Sequence, residues 1–322
     1  MFFIIPCPPG SPCPSEPGTT LATESGEHAL PHETATLRGL ISDYIALTKP
    51  RIISLLLVTA LGGMFMAQQG IPPTSLVLLV LIGGSLGAGG ANALNQFLDR
   101  DIDERMGRTS RRPLPSGRVK PRDAMVFGIL LNVVAFALLA AWVNVLSAVL
   151  TVSATIFYVI VYTKWLKRST TQNIVIGGAA GAVPPLVGWT AVTGSLSLSA
   201  FYMFAIVFFW TPPHFWALAL LIEGDYAKAQ IPMMPVVMGV RETTRSILLH
   251  SLTLVSLTIL LFTLKPVGYI YLAGAAGLGA LFLFYAVRLL IDASKKNALA
   301  LYLYSLLYLA LLFVFIMVDS AL

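Results

Sequence analysis

Past residue 40 the chain alternates long apolar runs with short polar connections. A helix needs about 20 mostly apolar residues to cross about 30 Å of hydrocarbon. Nine segments reach that length: 51–69, 75–98, 124–142, 146–163, 173–193, 199–222, 246–264, 268–288 and 299–318. The third and fourth are separated only by a short break at Val143-Asn144-Val145. The pattern predicts an all-α integral membrane protein, a bundle of nine transmembrane helices forming one polytopic domain over 41–322.

Residues 1–40 read differently. Pro6, Pro8, Pro9, Pro12, Pro14 and Pro17 are interspersed with and followed by Glu16, Glu24, Glu27 and Glu33, a composition that predicts a disordered tail. The apolar run Phe2–Ile5 is too short for a signal peptide and lacks a basic start. The first arginine is Arg38, unlike an arginine-rich transit peptide, so a bacterial cell is expected over organelle import. Cys7 and Cys13, the two cysteines, both fall in this tail, which predicts neither a cysteine metal site nor a disulfide framework.

Composition narrows the class. Of 322 residues, 57% are hydrophobic and 11% charged, with mean hydropathy +0.80. Soluble domains carry about 25% charge. That deficit excludes an ordinary soluble domain, a disordered chain and most nucleic-acid binders. The net charge of +6 then reflects basic cytoplasmic loops rather than a nucleic-acid partner. The basic residues sit on alternate connections: Lys49 and Arg51; Arg100 to Arg122; Lys164, Lys167 and Arg168; Lys228, Arg241 and Arg245; Arg288, Lys295 and Lys296. The opposite connections hold only Lys265. The positive-inside rule therefore predicts a cytoplasmic N-terminus and an outside C-terminus. Eight or ten spans would break the alternation.

The acids follow the same side, although topology does not require it. Asp99, Asp101, Asp103, Glu104, Asp123, Glu223, Asp225, Glu242 and Asp292 fall there, against Asp319 outside. The second span ends in Asn95-Gln-Phe-Leu-Asp99-Arg-Asp-Ile-Asp103. Spacing by four places Asn95, Asp99 and Asp103 on one helical face, about 6 Å apart per step. Two carboxylates and an amide oxygen suit a hard cation, and magnesium typically takes one or two carboxylates plus substrate phosphates. Arg105, Arg108, Arg111 and Arg112 follow at once, as a diphosphate grip would require. Four spans later the pattern recurs as Glu223-Gly-Asp225-Tyr226, which predicts two facing acidic helix ends. Within span six, Thr211-Pro-Pro-His214-Phe-Trp216 places a histidine beside two helix-opening prolines. His214 is a candidate iron ligand, hydrogen-bond donor or general base. Trp210, Phe215 and Trp216 read mainly as core or lipid-facing aromatics.

These residues resemble the UbiA superfamily of intramembrane prenyltransferases, and within it the protoheme-farnesylating branch. The resemblance covers about 42–318. It rests on Leu47-Thr-Lys-Pro-Arg51, Asn95-xxx-Asp99-xxx-Asp103, Met106-x-Arg108-Thr-x-x-Arg112-Pro113, Tyr162-Thr-Lys164, Thr211-Pro-Pro-His214-Phe-Trp216 and Asp225-Tyr226 leading to Ile231-Pro-Met-Met-Pro235. One departure stands out: Asp225 is followed four residues on by Ala229, where the wider superfamily often repeats aspartate.

The resemblance implies a prenyltransferase that moves the farnesyl group of farnesyl diphosphate to a vinyl group of heme B. It implies Mg²⁺ held by Asn95, Asp99, Asp103 and Asp225, and the diphosphate neutralised by Lys49, Arg51, Arg108, Arg112 and Lys164. His214, Trp216 and Tyr226 would meet the heme, with His214 as ligand or orienting donor. The implied partners are the lipid bilayer of a bacterial inner membrane, heme A synthase and oxidase assembly factors. A prenyltransferase acting on an aromatic or quinone precursor is the alternative, and predicts a second Asp-xxx-Asp and no His-Phe-Trp. A cation-coupled transporter would place its acids near the bilayer midplane. Here they cluster at one interface.

Overall fold

The structure, a computed structural model, describes residues 37–264 and 267–322. The tail reading over 1–36, with Cys7 and Cys13, lies outside the described residues, as does Lys265. Among the described residues the chain is helical: α1 (Leu37–Thr48), α2 (Pro50–Gln68), α3 (Thr74–Leu98), α4 (Arg100–Arg105), α5 (Pro121–Trp142) and α6 (Val145–Ile156). A π-helical stretch, Phe157–Leu166, leads into α7 (Lys167–Ser169). Then come α8 (Asn173–Gly181), α9 (Pro184–Thr193), α10 (Leu198–Leu221), α11 (Glu223–Lys228), α12 (Met234–Leu261), α13 (Tyr269–Ile291) and α14 (Lys295–Ala321).

Nine helical units among the described residues are long and apolar enough to span a membrane, as the hydrophobic runs predict. The fourth joins α6, the π-helix and α7; the fifth joins α8 and α9. The break after span three is real: Asn144 caps α6 by accepting from the Ser147 amide at 2.8 Å, and its own amide donates to Thr190 O at 2.8 Å. Span seven starts earlier than expected, at Met234, with Gly239 (φ 78°) breaking its first turns. Arg241, Glu242 and Arg245 therefore lie on a helix rather than in a loop.

Outward faces are apolar, as lipid requires: Val126, Ile129, Leu130 and Val133 of α5 are all exposed. Lipid supplies no hydrophobic drive between helices, so close packing of small residues must hold them. A Cβ on Gly90 would sit 2.6 Å from Gly128 O of α5. Between α2 and α9, Cβ atoms on Gly63 and Gly188 would run into the backbone of Pro185 and Ala60. Helix α1 carries Leu37, Leu40, Ile41 and Ile45 exposed on its apolar side. Tyr44 edges against Phe127 at 4.9 Å, and Asp43 pairs with Arg118 at 3.0 Å.

Candidate active site

The junction between α1 and α2 begins the site. Lys49 adopts a left-handed conformation (φ 55°, ψ 60°), and Pro50 opens α2. A non-glycine residue there is strained and persists only where its surroundings hold it. The holding groups come from α3: Asn92 Nδ2 donates to Thr48 O at 2.8 Å, and Gln96 Nε2 to Leu47 O at 2.9 Å. This is what the Thr-Lys-Pro motif accomplishes. It turns Lys49 Nζ inward, where it donates to Asn95 Oδ1 at 2.9 Å. Burial, reinforced by the Arg112 charge, pushes the Lys49 ammonium down to about 7, against the pull of Asp103 and Asp99.

Asn95, Asp99 and Asp103 are 4%, 1% and 2% exposed, which places all three inside rather than on a solvated helix end. The helix is not continuous through them: Asp99 (φ −90°, ψ 5°) ends α3 and α4 restarts at Arg100. Asn95 Nδ2 donates to Asp99 Oδ2 at 2.8 Å and to Thr163 Oγ1 at 3.0 Å. Lys167 Nζ lies 2.6 Å from the same Asp99 oxygen, and Arg112 pairs with Asp103 Oδ2 at 2.7 Å. Asp99 Oδ1 is buried and has no hydrogen-bond partner among the described residues.

That orphaned oxygen is the feature that fits a cation. No group of three or more His, Cys, Asp and Glu side chains able to hold a metal occurs among the described residues. The donors are two carboxylates and one amide. Magnesium fits such a sparse set because it keeps waters and takes its remaining ligands from substrate phosphates.

The basic residues divide. Lys49 and Arg112 meet the acidic network directly, and Arg108 lies within electrostatic reach of Tyr226. Arg51 is exposed. Lys164 is exposed too and lines a surface groove with Leu98, Arg100, Asp101 and Arg168. In that groove Arg168 forks onto Asp101 at 2.7 Å and holds its carboxyl below the usual range. The inward cation from this segment is Lys167, which the sequence reading passed over. The signal was the π-helix, which motif spacing does not show: its hydrogen bonds close over five residues rather than four. Thr163 Oγ1 donates to Tyr158 O, five residues back, at 2.8 Å.

The second acidic end approaches through Tyr226. It is 4% exposed, and burial pushes its phenol up to about 12, countered by Arg108 and reinforced by Asp99. Asp225 is half-buried and forms no ion pair with a described residue. Three further acids have structural uses. Asp123 lies in the first turn of α5, Asp292 accepts from Asn297 and Ser294, and Glu242 pairs with Arg245 at 2.6 Å.

Helix α10 runs unbroken through Pro212 and Pro213, rather than opening beside His214. His214 Nδ1 meets Ser305 Oγ of α14 at 2.7 Å, and its ring stacks on Trp210 at 4.3 Å and Tyr302 at 5.0 Å. Trp216 turns elsewhere. It is 1% exposed, its indole N–H has no partner among the described residues, and it meets His250 of α12 edge-on at 5.0 Å.

The profile of the UbiA prenyltransferase family matches residues 56–316. A protoheme IX farnesyltransferase of Roseiflexus castenholzii is 53% identical over 292 residues, 90% of this chain and 55% of that protein. One of Gloeobacter violaceus is 51% identical over 285 residues, 88% of this chain and 93% of that protein. The chain thus spans about half the length of the Roseiflexus relative and nearly all of the Gloeobacter one. Among solved structures, a digeranylgeranylglyceryl phosphate synthase superposes with TM-score 0.70 at 20% identity, covering 87% of this chain and 98% of that one. A UbiA homolog from Archaeoglobus fulgidus bound to DMAPP and Mg²⁺ gives 0.63 at 18%, covering 86% and 99%. These two show a shared fold. The profile match and the close relatives together establish that the chain belongs to the UbiA prenyltransferase family.

Proposed function

We propose that the chain transfers the farnesyl group of farnesyl diphosphate to a vinyl group of heme B, giving heme O and diphosphate. The observation that carries this is the buried network Lys49–Asn95–Asp99–Lys167, with its unpartnered Asp99 oxygen, in a chain 51% identical to a protoheme farnesyltransferase of nearly the same length.

Asn95, Asp99 and Asp103, with Asp225, would hold Mg²⁺. Bound there, Mg²⁺ would neutralise phosphate oxygens and so make diphosphate a better leaving group. The chain supplies the rest. Lys49, Lys167 and Arg112 already pair with the acidic network, and they exchange those partners for diphosphate oxygens as substrate arrives. Arg108 adds positive charge beside Tyr226. The allylic C–O bond breaks and its electron pair leaves with the diphosphate. The farnesyl C1 cation is captured by the terminal carbon of the heme vinyl group. Water adds to the resulting cation on the adjacent carbon and loses a proton, leaving the hydroxyethylfarnesyl substituent. Surrounding apolar side chains keep the first cation from being lost to water as farnesol.

The porphyrin and the C15 chain are apolar while the diphosphate is charged, which explains an active site at a membrane face. The N-terminus and the site face the cytoplasm of a bacterial inner membrane, and the C-terminus lies outside. The product passes to another membrane protein, with heme A synthase and oxidase assembly factors the fitting recipients. Offering farnesyl diphosphate with heme B, and separately with an aromatic acid, tests the acceptor: a farnesylated product is expected from heme B alone. A farnesylated aromatic acid without heme O would overturn the assignment.

A further inference from the structure

We infer that His214 binds the heme iron through Nε2 and that Ser305 is the positioning residue that fixes it in that form, an inference that rests on heme as the acceptor. Left to its sequence, His214 is equally a ligand or a donor. The hydrogen bonds around Ser305 separate the two.

Ser305 Oγ lies 2.6 Å from Tyr302 O and 2.7 Å from His214 Nδ1. A hydroxyl has one proton, and a carbonyl only accepts. The proton therefore goes to Tyr302 O, and Oγ turns its lone pairs to the imidazole. His214 Nδ1 must then carry the hydrogen and donate it. In a neutral imidazole this leaves Nε2 with a lone pair. No carboxylate pairs with the ring among the described residues, so nothing there holds it as a cation.

The surroundings fix the ring as well as its tautomer. Trp210 and Tyr302 stack on it at interplanar angles of 15° and 25°, and Trp210 Nε1 donates to Ser305 O at 2.7 Å. The same turn of α14 thus holds both the ring and its neighbour. His214 is half-buried, and Nε2 makes no hydrogen bond with a described residue and is not among the buried orphaned atoms. An accessible, unprotonated Nε2 cannot donate to a substrate oxygen. It can bind iron. A metal-binding histidine commonly gives its other N–H to a nearby oxygen, which sets orientation and basicity.

The test uses the full chain in detergent with ferrous heme B and no farnesyl diphosphate, read by resonance Raman and by heme titration. The wild type is expected to show an iron–histidine stretching band. His214→Ala removes that band and added imidazole restores it. Ser305→Ala, which deletes one buried atom, shifts the band and weakens heme binding by about 10-fold or more. Ser305→Thr keeps the hydroxyl and restores both. A band that survives His214→Ala overturns the ligand assignment. Unchanged band and affinity in Ser305→Ala overturn the role of Ser305. A wild type that binds no heme B at all instead overturns the acceptor assignment beneath both.

Discussion

Lys167 Nζ reaches Asp99 Oδ2 at 2.6 Å because the chain before it winds as a π-helix over Phe157–Leu166. The wider turn brings Thr163 onto Asn95 and Lys167 onto Asp99, while Lys164 faces the outer groove. A π-helix is uncommon and recurs at functional sites.

The first prediction follows from that register. Lys167→Ala should lower heme O formation by about 100-fold, the scale of removing one charged group from a developing negative charge. Lys164→Ala should stay within about threefold, since an exposed cation contributes little. Product quantified by mass spectrometry checks both. Equal losses in the two variants would contradict the placement.

Asp103 carries the second. Its side chain is 3% exposed and its partner Arg112 is 25% exposed. Arg112→Ala leaves a buried carboxylate unpaired, a loss of about 3–5 kcal/mol where nothing replaces the guanidinium. A metal at this site would replace part of it. The melting temperature of Arg112→Ala in detergent should therefore fall, and Mg²⁺ should raise it more than it raises the wild type. An identical Mg²⁺ response in both would count against Asp103 as a metal ligand.

Asp319, near the end of α14, has a local structural task. It accepts from the Gly268 amide, and its Oδ1 from the Tyr271 amide at 3.2 Å, so α14 caps α13. Asp319→Ala should destabilise by about 1 kcal/mol, the usual cost of losing a cap. Thermal unfolding should show this with turnover per folded molecule unchanged.

Gly188 faces the Ala60 carbonyl of α2 so closely that a Cβ has no room, and backbone cannot swing aside as a side chain can. Gly188→Ala should cost about 1–3 kcal/mol through separation of α2 and α9. A melting temperature equal to the wild type would contradict that close packing.

The nine spans were legible because each must be apolar over a membrane thickness, and that constraint is written in consecutive residues. Asn95, Asp99 and Asp103 were legible because ionisable groups beside an apolar helix are costly to keep. Other features depend on contacts between distant segments. Lys164 and Lys167 look alike in sequence, and only the π-turn distinguishes them. Gly188 reads as one glycine among 26 until Ala60 is seen against it. Ser305 carries no motif, and its importance comes from meeting His214, 91 residues away. Trp216 follows His214 by two residues, yet helical geometry turns it to α12 while His214 meets α14.

The most direct test of the central claim is one assay. Membranes bearing the protein are incubated with heme B, farnesyl diphosphate and Mg²⁺, and the extracted hemes are analysed by mass. Heme O above the level of membranes from an empty-vector control is the predicted result, lost in Asp99→Ala with membrane insertion intact. No heme O above that control would contradict the account.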